Sequence, residues 1–152
     1  MSNNQPIMCS SWDQDKQLFF TQISGIVGFD DVKTWEEDMR RESKKIPANT
    51  TFKFLVDERN YQFENIEVHK FKRDIMPRFL AEFDFILSVL SDEEKKLLKQ
   101  RVEPNKQQIR CIAIAMVHHD KEKMQNLQNE FGQENEKYLS DMEIATNWLN
   151  SK

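Results

Sequence analysis

The stretch that decides the fold is 110–120, RCIAIAMVHHD, which contains the most apolar strand-like run of the chain. Successive side chains of a strand point to opposite faces, and here both sets of side chains are apolar. Such a strand is typical of the centre of a sheet that is covered on both sides. The alternation predicts two sets, with Cys111, Ala113, Ala115 and Val117 on one face and Ile112, Ile114, Met116 and His118 on the other.

The same stretch carries a thiol, two imidazoles and a carboxylate, which raises the question of whether these groups form a site. Cys111 and His118 would lie about 23 Å apart at 3.3 Å per residue and on opposite faces, so they cannot bind one metal ion. His118 and His119 diverge if the strand continues, and Asp120 is well suited to cap the next helix. We therefore predict no metal site here. The alternative is that His118 or His119 contacts a ligand at the carboxyl end of a central parallel strand.

The segments around this strand supply the rest of an α/β fold. Their β-branched and aromatic composition predicts further strands over 7–12, 17–27, 51–57 and 136–139. Capping residues ahead of apolar residues at helical spacing predict helices that begin near Asp30, Asn65, Asp120 and Ser140. This order predicts one domain over 1–152, with a single mixed β-sheet and helices packed on it. The sheet consists of an N-terminal antiparallel hairpin plus parallel strands.

A segment near 79–103 has the features of an extra helical insertion. Apolar residues recur at helical spacing from Phe79 to Leu90, after a stop or kink at Pro77. Ser91 and Glu94 then form a capping box that begins a second short helix. The first helix is more apolar than one buried face requires, so it either packs inside the domain or supplies a partner surface. The residues of this predicted partner surface are Phe79, Phe83, Leu87 and Leu90.

Length and composition restrict the function. The chain has 152 residues, of which 26 are acidic and 22 basic, and its formal charge of −4 argues against nucleic acid as a partner. The first residues lack the basic and apolar regions of an export signal, and no apolar run is long enough to span a membrane. We therefore expect a cytoplasmic protein, with residues 1–6 disordered. Cys9 and Cys111 are expected to be free thiols.

Polar side chains also follow the predicted strand that ends at Asp57. Because the carboxyl ends of parallel strands meet at one edge of a sheet, these side chains are expected near the two histidines. The simplest interpretation is that Asp57 is satisfied by loop amides or by Arg59, and that Glu58 is solvated. No Gly-rich phosphate loop, nucleophile elbow or HExxH motif occurs, so no catalytic, cofactor-binding or metal-binding residue is predicted. The candidate ligand or partner edge consists of Asp57, Arg59, Asn60, His118 and His119.

Five stretches occur in a familiar order: FFTQISGIVGFDDV, FKFLVDERNYQF, DIMPRF, IRCIAIAMV and YLSDMEIATNWL. Together they resemble the STAS-like, SpoIIAA-like family of small bacterial proteins. The resemblance implies a mixed sheet with helices packed on it, and an interaction or regulatory role such as antagonism of anti-sigma factors. In those antagonists a phosphorylatable Ser lies where the helix begins after the Asp-bearing strand. Here no Ser or Thr occurs between Glu58 and Phe71, so the serine switch is not carried over.

Three functional hypotheses follow. The first is a non-enzymatic cytoplasmic interaction or regulatory domain that binds a protein partner or a second copy of itself. The second is a carrier of a small apolar molecule or lipid, because STAS-like folds resemble lipid-binding CRAL-TRIO-like domains and the chain has 11 Phe residues. The third is an enzyme that uses His118 or His119 with Asp57. The first hypothesis is preferred because no catalytic motif is present.

Overall fold

The computed structural model describes residues 5–152, which contain six strands and six helices. Residues 1–4, which include most of the segment predicted to be disordered, lie outside the described residues, and residues 5–6 form no helix or strand. The elements in chain order are β1 (Ile7–Asp13), β2 (Leu18–Val27), α1 (Phe29–Ser43), β3 (Thr51–Asp57), β4 (Tyr61–Phe63), α2 (Ile66–Arg73), α3 (Ile75–Ala81), α4 (Asp92–Arg101), β5 (Arg110–Val117), α5 (Lys121–Phe131), β6 (Glu136–Leu139) and α6 (Met142–Asn150).

The strands form one mixed sheet in the order β1-β2-β3-β5-β6, and the short strand β4 pairs with the end of β2. The β1–β2 hairpin is antiparallel, whereas the β2–β3, β3–β5 and β5–β6 pairs are parallel. The predicted fold class, an α/β domain with an N-terminal hairpin and parallel strands, is confirmed. Strand β4 was not predicted, because its three residues are too short to show an alternating pattern.

The sheet separates two apolar layers of unequal size. The larger layer packs the Phe-rich face of β2 and β3 against α1, α2 and α3, with the Phe19 ring 5.2 Å from Phe54 and 6.0 Å from Phe79. The smaller layer packs the other face of β3 and β5 against α6. Small side chains on β5, Ala113 and Ala115, contribute to this second layer and leave room for the helix. The central strands are therefore covered on both faces, as their composition predicted.

Strand β5 contains an irregularity that corrects the predicted alternation of its first residues. The pairing with β3 shifts between Phe52 and Lys53, which lie opposite Cys111 and Ala113, so that Ile112 is an extra residue. A bulge of this kind interrupts the two-residue period of a strand. As a result Cys111 belongs to the larger apolar layer, and the Ile112 side chain is 41% exposed. The predicted faces hold from Ala113 to Val117, where the strand ends.

The insertion near 79–103 is helical only in part. Helix α3 ends at Ala81, and the next helix, α4, begins after a capping box in which Ser91 Oγ accepts from Glu94 N at 3.1 Å. Between them lies an irregular segment, 82–91, which we call the crossing loop. Asp84 in this loop has a φ of 60°, which ends any helix. The predicted helix through Leu90 is therefore wrong, because the apolar side chains of this segment are buried by a loop instead.

Two helix starts also differ from the prediction. Helix α1 has Gly28 as its N-cap, one residue before Phe29, and Asp30 lies in the first turn instead. The N-cap of α6 is Asp141, whose Oδ1 accepts from Ile144 N at 3.0 Å, rather than Ser140. Both acidic residues still stabilise the positive end of the helix dipole.

Candidate functional site at the carboxyl edge of the sheet

The carboxyl ends of β3 and β5 bring the residues of the predicted candidate edge together. Asp57 and Val117 are paired at the ends of these strands, and Glu58 N donates to Val117 O at 2.8 Å. Asn60 N, in the loop after β3, donates to Nδ1 of His119 at 3.0 Å. The loops that follow the two strands are thus bonded to each other. Whether this edge binds a ligand stays a prediction.

Both carboxylate oxygens of Asp57 accept hydrogen bonds from Arg59. The guanidinium donates from Nε to Oδ1 and from Nη2 to Oδ2, both at 3.0 Å, and the Arg59 backbone N–H donates to Oδ1 at 3.1 Å. The carboxylate is buried, and hydrogen bonding to it raises the pKa of the Arg59 guanidinium. A bidentate pair of this kind is strong and fixed in orientation. Asp57 therefore holds the loop after β3 in place.

The imidazoles of His118 and His119 each accept a hydrogen bond from a backbone N–H through Nδ1. His118 Nδ1 accepts from Asp120 N at 3.0 Å, and His119 Nδ1 accepts from Asn60 N at 3.0 Å. A ring nitrogen that accepts a backbone N–H carries no proton, so this arrangement places the proton of the neutral His118 ring on Nε2. Burial lowers the pKa of His118 to about 4, and the charge of Lys123 acts in the same direction.

The geometry of the histidine pair differs from the prediction that the rings diverge. Strand β5 ends at Val117, and the His118 and His119 rings stack with their centroids 4.2 Å apart. The predicted divergence required the strand to continue through both residues. Asp120 has its predicted role, because its Oδ1 accepts from Lys123 N at 3.0 Å at the start of α5.

A buried ion pair beside this edge was missed by the sequence analysis. Lys72 on α2 contacts Oε2 of Glu58, and both side chains are buried. The Lys72 ammonium also lies 4.6 Å from the Tyr61 ring and 5.6 Å from the Trp35 ring. Burial lowers the pKa of Lys72, whereas the carboxylate of Glu58 supplies the opposite charge. The charged groups of this edge are therefore paired within the protein.

The signal for Lys72 was its spacing. Val68, Lys72 and Ile75 stand at i, i+4 and i+7, which is the interval of a buried helical stripe. Charged residues on a helix are seldom buried without a partner, so basic residues in such a segment are expected on its solvated face. Lys70 follows this rule, with a side chain that is 57% exposed and lies 3.8 Å from Glu67, whereas Lys72 does not.

Exposed apolar side chains gather next to the ion pair. Phe29, Phe63 and Ile66 are 45%, 39% and 53% exposed, and we call them the edge patch. Glu64 N donates to Val27 O at 3.0 Å, which places the chain around Phe63 beside the start of α1.

The rings of the edge patch rest on other aromatic side chains. The Phe29 ring lies 5.6 Å from Phe71, and the Phe63 ring stacks on His69 at 4.5 Å. Tyr61 extends this aromatic group, because its hydroxyl and His69 Nδ1 are 3.2 Å apart. The edge patch is therefore supported by packed side chains underneath, which fix the positions of its rings.

Acidic residues surround the edge patch. Asp30 follows Phe29, Glu64 follows Phe63, and Glu67 follows Ile66, and all three acidic residues are exposed. The Glu64 carboxylate lies close to Gly28, so the acidic groups approach the patch from both chain segments. The three carboxylates outnumber the Lys70 ammonium, which lies 3.8 Å from Glu67, so these rim residues carry a net negative charge.

The predicted partner surface on the insertion is corrected by the structure. Phe79 and Leu87 lie in the larger apolar layer and are buried, and Phe83 and Leu90 are partly buried against it. These four side chains therefore pack inside the domain, which was the other outcome expected for this segment. Their burial follows from the crossing loop, which turns the chain back onto the sheet.

Two surface depressions lie away from the carboxyl edge. The first has a volume of about 440 Å³ and lies at the opposite edge of the sheet, where Thr50, Asn105 and Arg110 contribute to its lining. The second is lined mainly by the polar residues Gln133, Glu134 and Asn135. Neither depression provides the apolar interior that a carrier of a small apolar molecule requires.

Within residues 5–152, no group of three or more His, Cys, Asp and Glu side chains has an arrangement that could hold a metal ion. Over the same part of the chain, every helix is too short or too polar to cross a membrane. Cys9 is an exposed free thiol, and Cys111 is a buried free thiol.

The fold and the edge define an α/β protein with one mixed sheet, whose carboxyl edge combines internally paired polar groups with an exposed aromatic patch. No family model matches this chain, and no curated protein or solved structure matches it either. The resemblance to STAS-like proteins therefore stays a prediction.

Proposed function

We propose that this protein is a non-enzymatic, cytoplasmic interaction module that binds another protein through the edge patch. The observation that carries the proposal is the exposure of Phe29, Phe63 and Ile66 at one place on a packed support. Contiguous exposed apolar side chains rimmed by polar residues mark interaction sites. Aromatic residues are also enriched at the centres of protein interfaces.

The neighbouring polar groups support a binding role over an enzymatic one. A general acid or base must have a free atom within reach of the substrate. At this edge Arg59 binds both oxygens of Asp57, so neither oxygen is free to pair with an imidazole, and backbone N–H groups occupy Nδ1 of His118 and His119, which leaves Nε2 as the second nitrogen of each ring. Each of these side chains fixes a loop at the carboxyl edge of the sheet. Their polar groups are thus used for positioning.

The rim of the edge patch indicates the chemistry of the partner. Asp30, Glu64 and Glu67 would face any protein bound to the patch, and they disfavour an acidic surface. The partner that fits is a protein segment with an apolar anchor residue flanked by Lys or Arg. Binding of this kind weakens as ionic strength rises, because the charges at the rim are screened.

The resemblance to STAS-like regulators is in keeping with an interaction role, although without a phosphorylation switch. At the start of α2 the N-cap is Asn65, whose Oδ1 accepts from Val68 N at 3.1 Å. No Ser or Thr lies between Glu58 and Phe71. We therefore propose that partner binding is controlled by contact with the edge patch and is independent of phosphorylation at this helix.

The proposal is tested by affinity purification from native cells with tagged full-length chains. The variants are Phe63→Ser, Ile66→Ser and, as a matched control, Ile144→Ser, since Ile144 is 56% exposed but lies on α6. We expect one protein to be retained by the wild type and by the control but lost from both patch variants. Equal retention by all four chains would overturn the proposal.

A second measurement separates specific binding from co-purification. The retained protein is produced alone and titrated against each chain by calorimetry at low and high salt. We expect at least a tenfold rise in Kd for Phe63→Ser, no change for Ile144→Ser, and weaker wild-type binding at high salt. A Kd that is the same for all chains would assign the partner to another surface.

A further inference from the structure

The outer edge of β1 is an open sheet edge among the described residues. β1 pairs with β2 along its whole length, from Ile7 opposite Ser24 to Asp13 opposite Leu18. It stands first in the strand order, and within residues 5–152 no other strand pairs with it. The N–H and C=O groups on its outer side therefore present an unfilled set of hydrogen-bonding positions, and the group that fills such positions is another strand.

This edge lacks the usual protection against strand pairing. Edge strands of monomeric proteins are commonly short or carry Lys, Pro or inward-pointing charges. β1 has seven residues, contains no Lys, Arg or Pro, and has one charged residue, Asp13, at its end. The edge strand on the other side of the sheet, β6, has four residues and includes Glu136 and Lys137. The two edges are thus built differently.

We propose that β1 pairs antiparallel with β1 of a second copy of this chain, which joins the two sheets across a two-fold axis. The register that pairs all seven residues places Ser10 opposite Ser10 of the other copy. Met8 then lies opposite Trp12, and both are partly buried side chains at the border of the larger apolar layer. The dimer would extend this apolar layer across the two-fold axis.

Antiparallel self-pairing of β1 brings no like charges together, which supports a second copy of the chain as the partner. In the antiparallel arrangement the two Asp13 carboxylates lie at opposite ends of the strand pair, about 20 Å apart at 3.4 Å per residue. In a parallel arrangement in the same register they would lie side by side. A two-fold axis also supplies both copies with the same contacts, which is the commonest symmetry of soluble oligomers.

The position of Cys9 allows this arrangement to be tested by cross-linking. Its side chain is exposed, and its partner residue across the proposed axis is Ser11, so the two Cys9 residues are diagonal neighbours about 7–8 Å apart. The other thiol of the chain, Cys111, is buried and does not compete for reagents in the folded protein. A short bifunctional maleimide can therefore link two chains through Cys9.

The test is sedimentation equilibrium of the full chain under reducing conditions, over a series of concentrations. Ser11→Lys adds two ammonium groups beside the axis, and Thr34→Lys adds the same charge at an exposed position of α1. We expect the wild type and Thr34→Lys to be dimers and Ser11→Lys to dissociate at least tenfold more readily. Unfolding midpoints of the dissociated chains show that the fold is retained. A wild-type monomer at all concentrations would overturn the proposal.

Cross-linking places the contact at β1. The short bifunctional maleimide is expected to give a linked dimer with the wild-type chain. A chain with Cys9→Ser and Thr34→Cys has one exposed thiol at another position and is expected to stay unlinked. A dimer in sedimentation whose Cys9 residues do not link, or linking by the Thr34→Cys chain to the same extent, would assign the dimer to a surface other than β1.

Discussion

At the scale of single residues, the buried pair of Lys72 and Glu58 shows how the carboxyl edge depends on internal charge compensation. Lys72 comes from α2 and Glu58 from the loop after β3, so the pair joins the helix to the sheet. Taking two charges out of water costs several kcal/mol per ion, and mutual attraction offsets this cost only while both partners are present. The pair is therefore expected to show strong coupling rather than a large net contribution to stability.

Removing one partner of this pair should destabilise the protein strongly. We expect Lys72→Met to lower the free energy of unfolding by about 3–5 kcal/mol, because Glu58 is left buried without a counter-ion. The double variant Glu58→Gln with Lys72→Met should recover much of that loss. Urea denaturation of the two single variants and the double variant measures the coupling.

Lys70→Met on the exposed side of α2 is the matched control. Its ammonium lies 3.8 Å from Glu67 at the surface, so its removal should change the free energy of unfolding by less than about 0.5 kcal/mol. If the Glu58→Gln and Lys72→Met double variant lost as much unfolding free energy as the two single variants together, the two side chains would not be coupled, which would contradict the ion pair.

His118 should make stability depend on pH in the acid range. Burial and the charges of Lys123, His119 and Lys72 lower its pKa from 6.5 to about 4, and Asp120 acts in the opposite direction. Between these values the unfolded chain binds more protons than the folded chain, so the free energy of unfolding rises with pH. The stabilisation that comes from the lowered pKa of His118 is complete above pH 6.5 and is lost as the pH falls toward 4.

We expect the difference in unfolding free energy between the wild type and His118→Gln to change with pH over this window, because the Gln side chain cannot take up a proton. Denaturation series at several pH values between 4 and 7 measure this difference. The imidazole resonances of His118 should also keep their neutral shifts at pH 5.5 in the folded chain. A midpoint of titration near 6.5 would show that burial does not perturb this ring.

At the scale of elements, the crossing loop 82–91 is held to the sheet by polar contacts. Ser88 N donates to Oε1 of Glu136 at 3.1 Å, Ser88 Oγ lies 2.9 Å from Oε2, and Tyr138 donates its hydroxyl to Oε2 at 2.5 Å. Burial and the hydrogen bond to Glu136 raise the pKa of Tyr138. The buried carboxylate on β6 is thus satisfied by groups from the loop and from its own strand, and it fixes the path of the loop.

Ser88→Ala should loosen this loop more than the rest of the domain. The change removes the Ser88 hydroxyl, which lies 2.6 Å from Phe131 O and 2.9 Å from Oε2 of Glu136, and we expect a loss of about 1–3 kcal/mol in the free energy of unfolding. Hydrogen exchange should become faster in residues 82–91 first. Thr34→Ala, at an exposed position of α1, is the control. Unchanged exchange in the loop would show that the apolar side chains alone hold it.

The elements that could be predicted are those whose burial follows a simple period. Strands β2, β3 and β5 and helix α1 show clear apolar patterns because each presents whole faces to a core. The crossing loop gave a false helix, because its apolar side chains occur at helical spacing but are buried by an irregular chain. The bulge at Ile112 was not predictable, since it appears as a shift in pairing with β3 and not as a residue type.

The candidate edge could be predicted in part for a similar reason. Parallel topology implied that Asp57 and His118 would meet, but the edge patch depends on β4 and on the bond from Glu64 N to Val27 O. Contacts between segments distant in the chain leave no local pattern. The spacing of Lys72 on α2 was the one available signal for the ion pair.

At the scale of the whole molecule, the sheet divides the protein into two apolar layers, and strands β3 and β5 contribute side chains to both. Cys111 lies in the larger layer, and burial raises the pKa of its thiol far above the usual value. A thiolate is the reactive form of cysteine, so the folded state protects Cys111 twice, by access and by charge. Its reactivity therefore reports on opening of the whole domain.

We expect a Cys9→Ser chain to react with a thiol reagent such as dithiobis(nitrobenzoic acid) only as it unfolds. The labelling rate of Cys111 should rise with urea, with a slope that matches the equilibrium m-value, because exposure of this thiol requires global unfolding. The wild-type chain should show one additional fast equivalent from Cys9. Labelling that is fast in buffer and independent of urea would show instead that the start of β5 opens locally at the Ile112 bulge, with the remaining sheet intact.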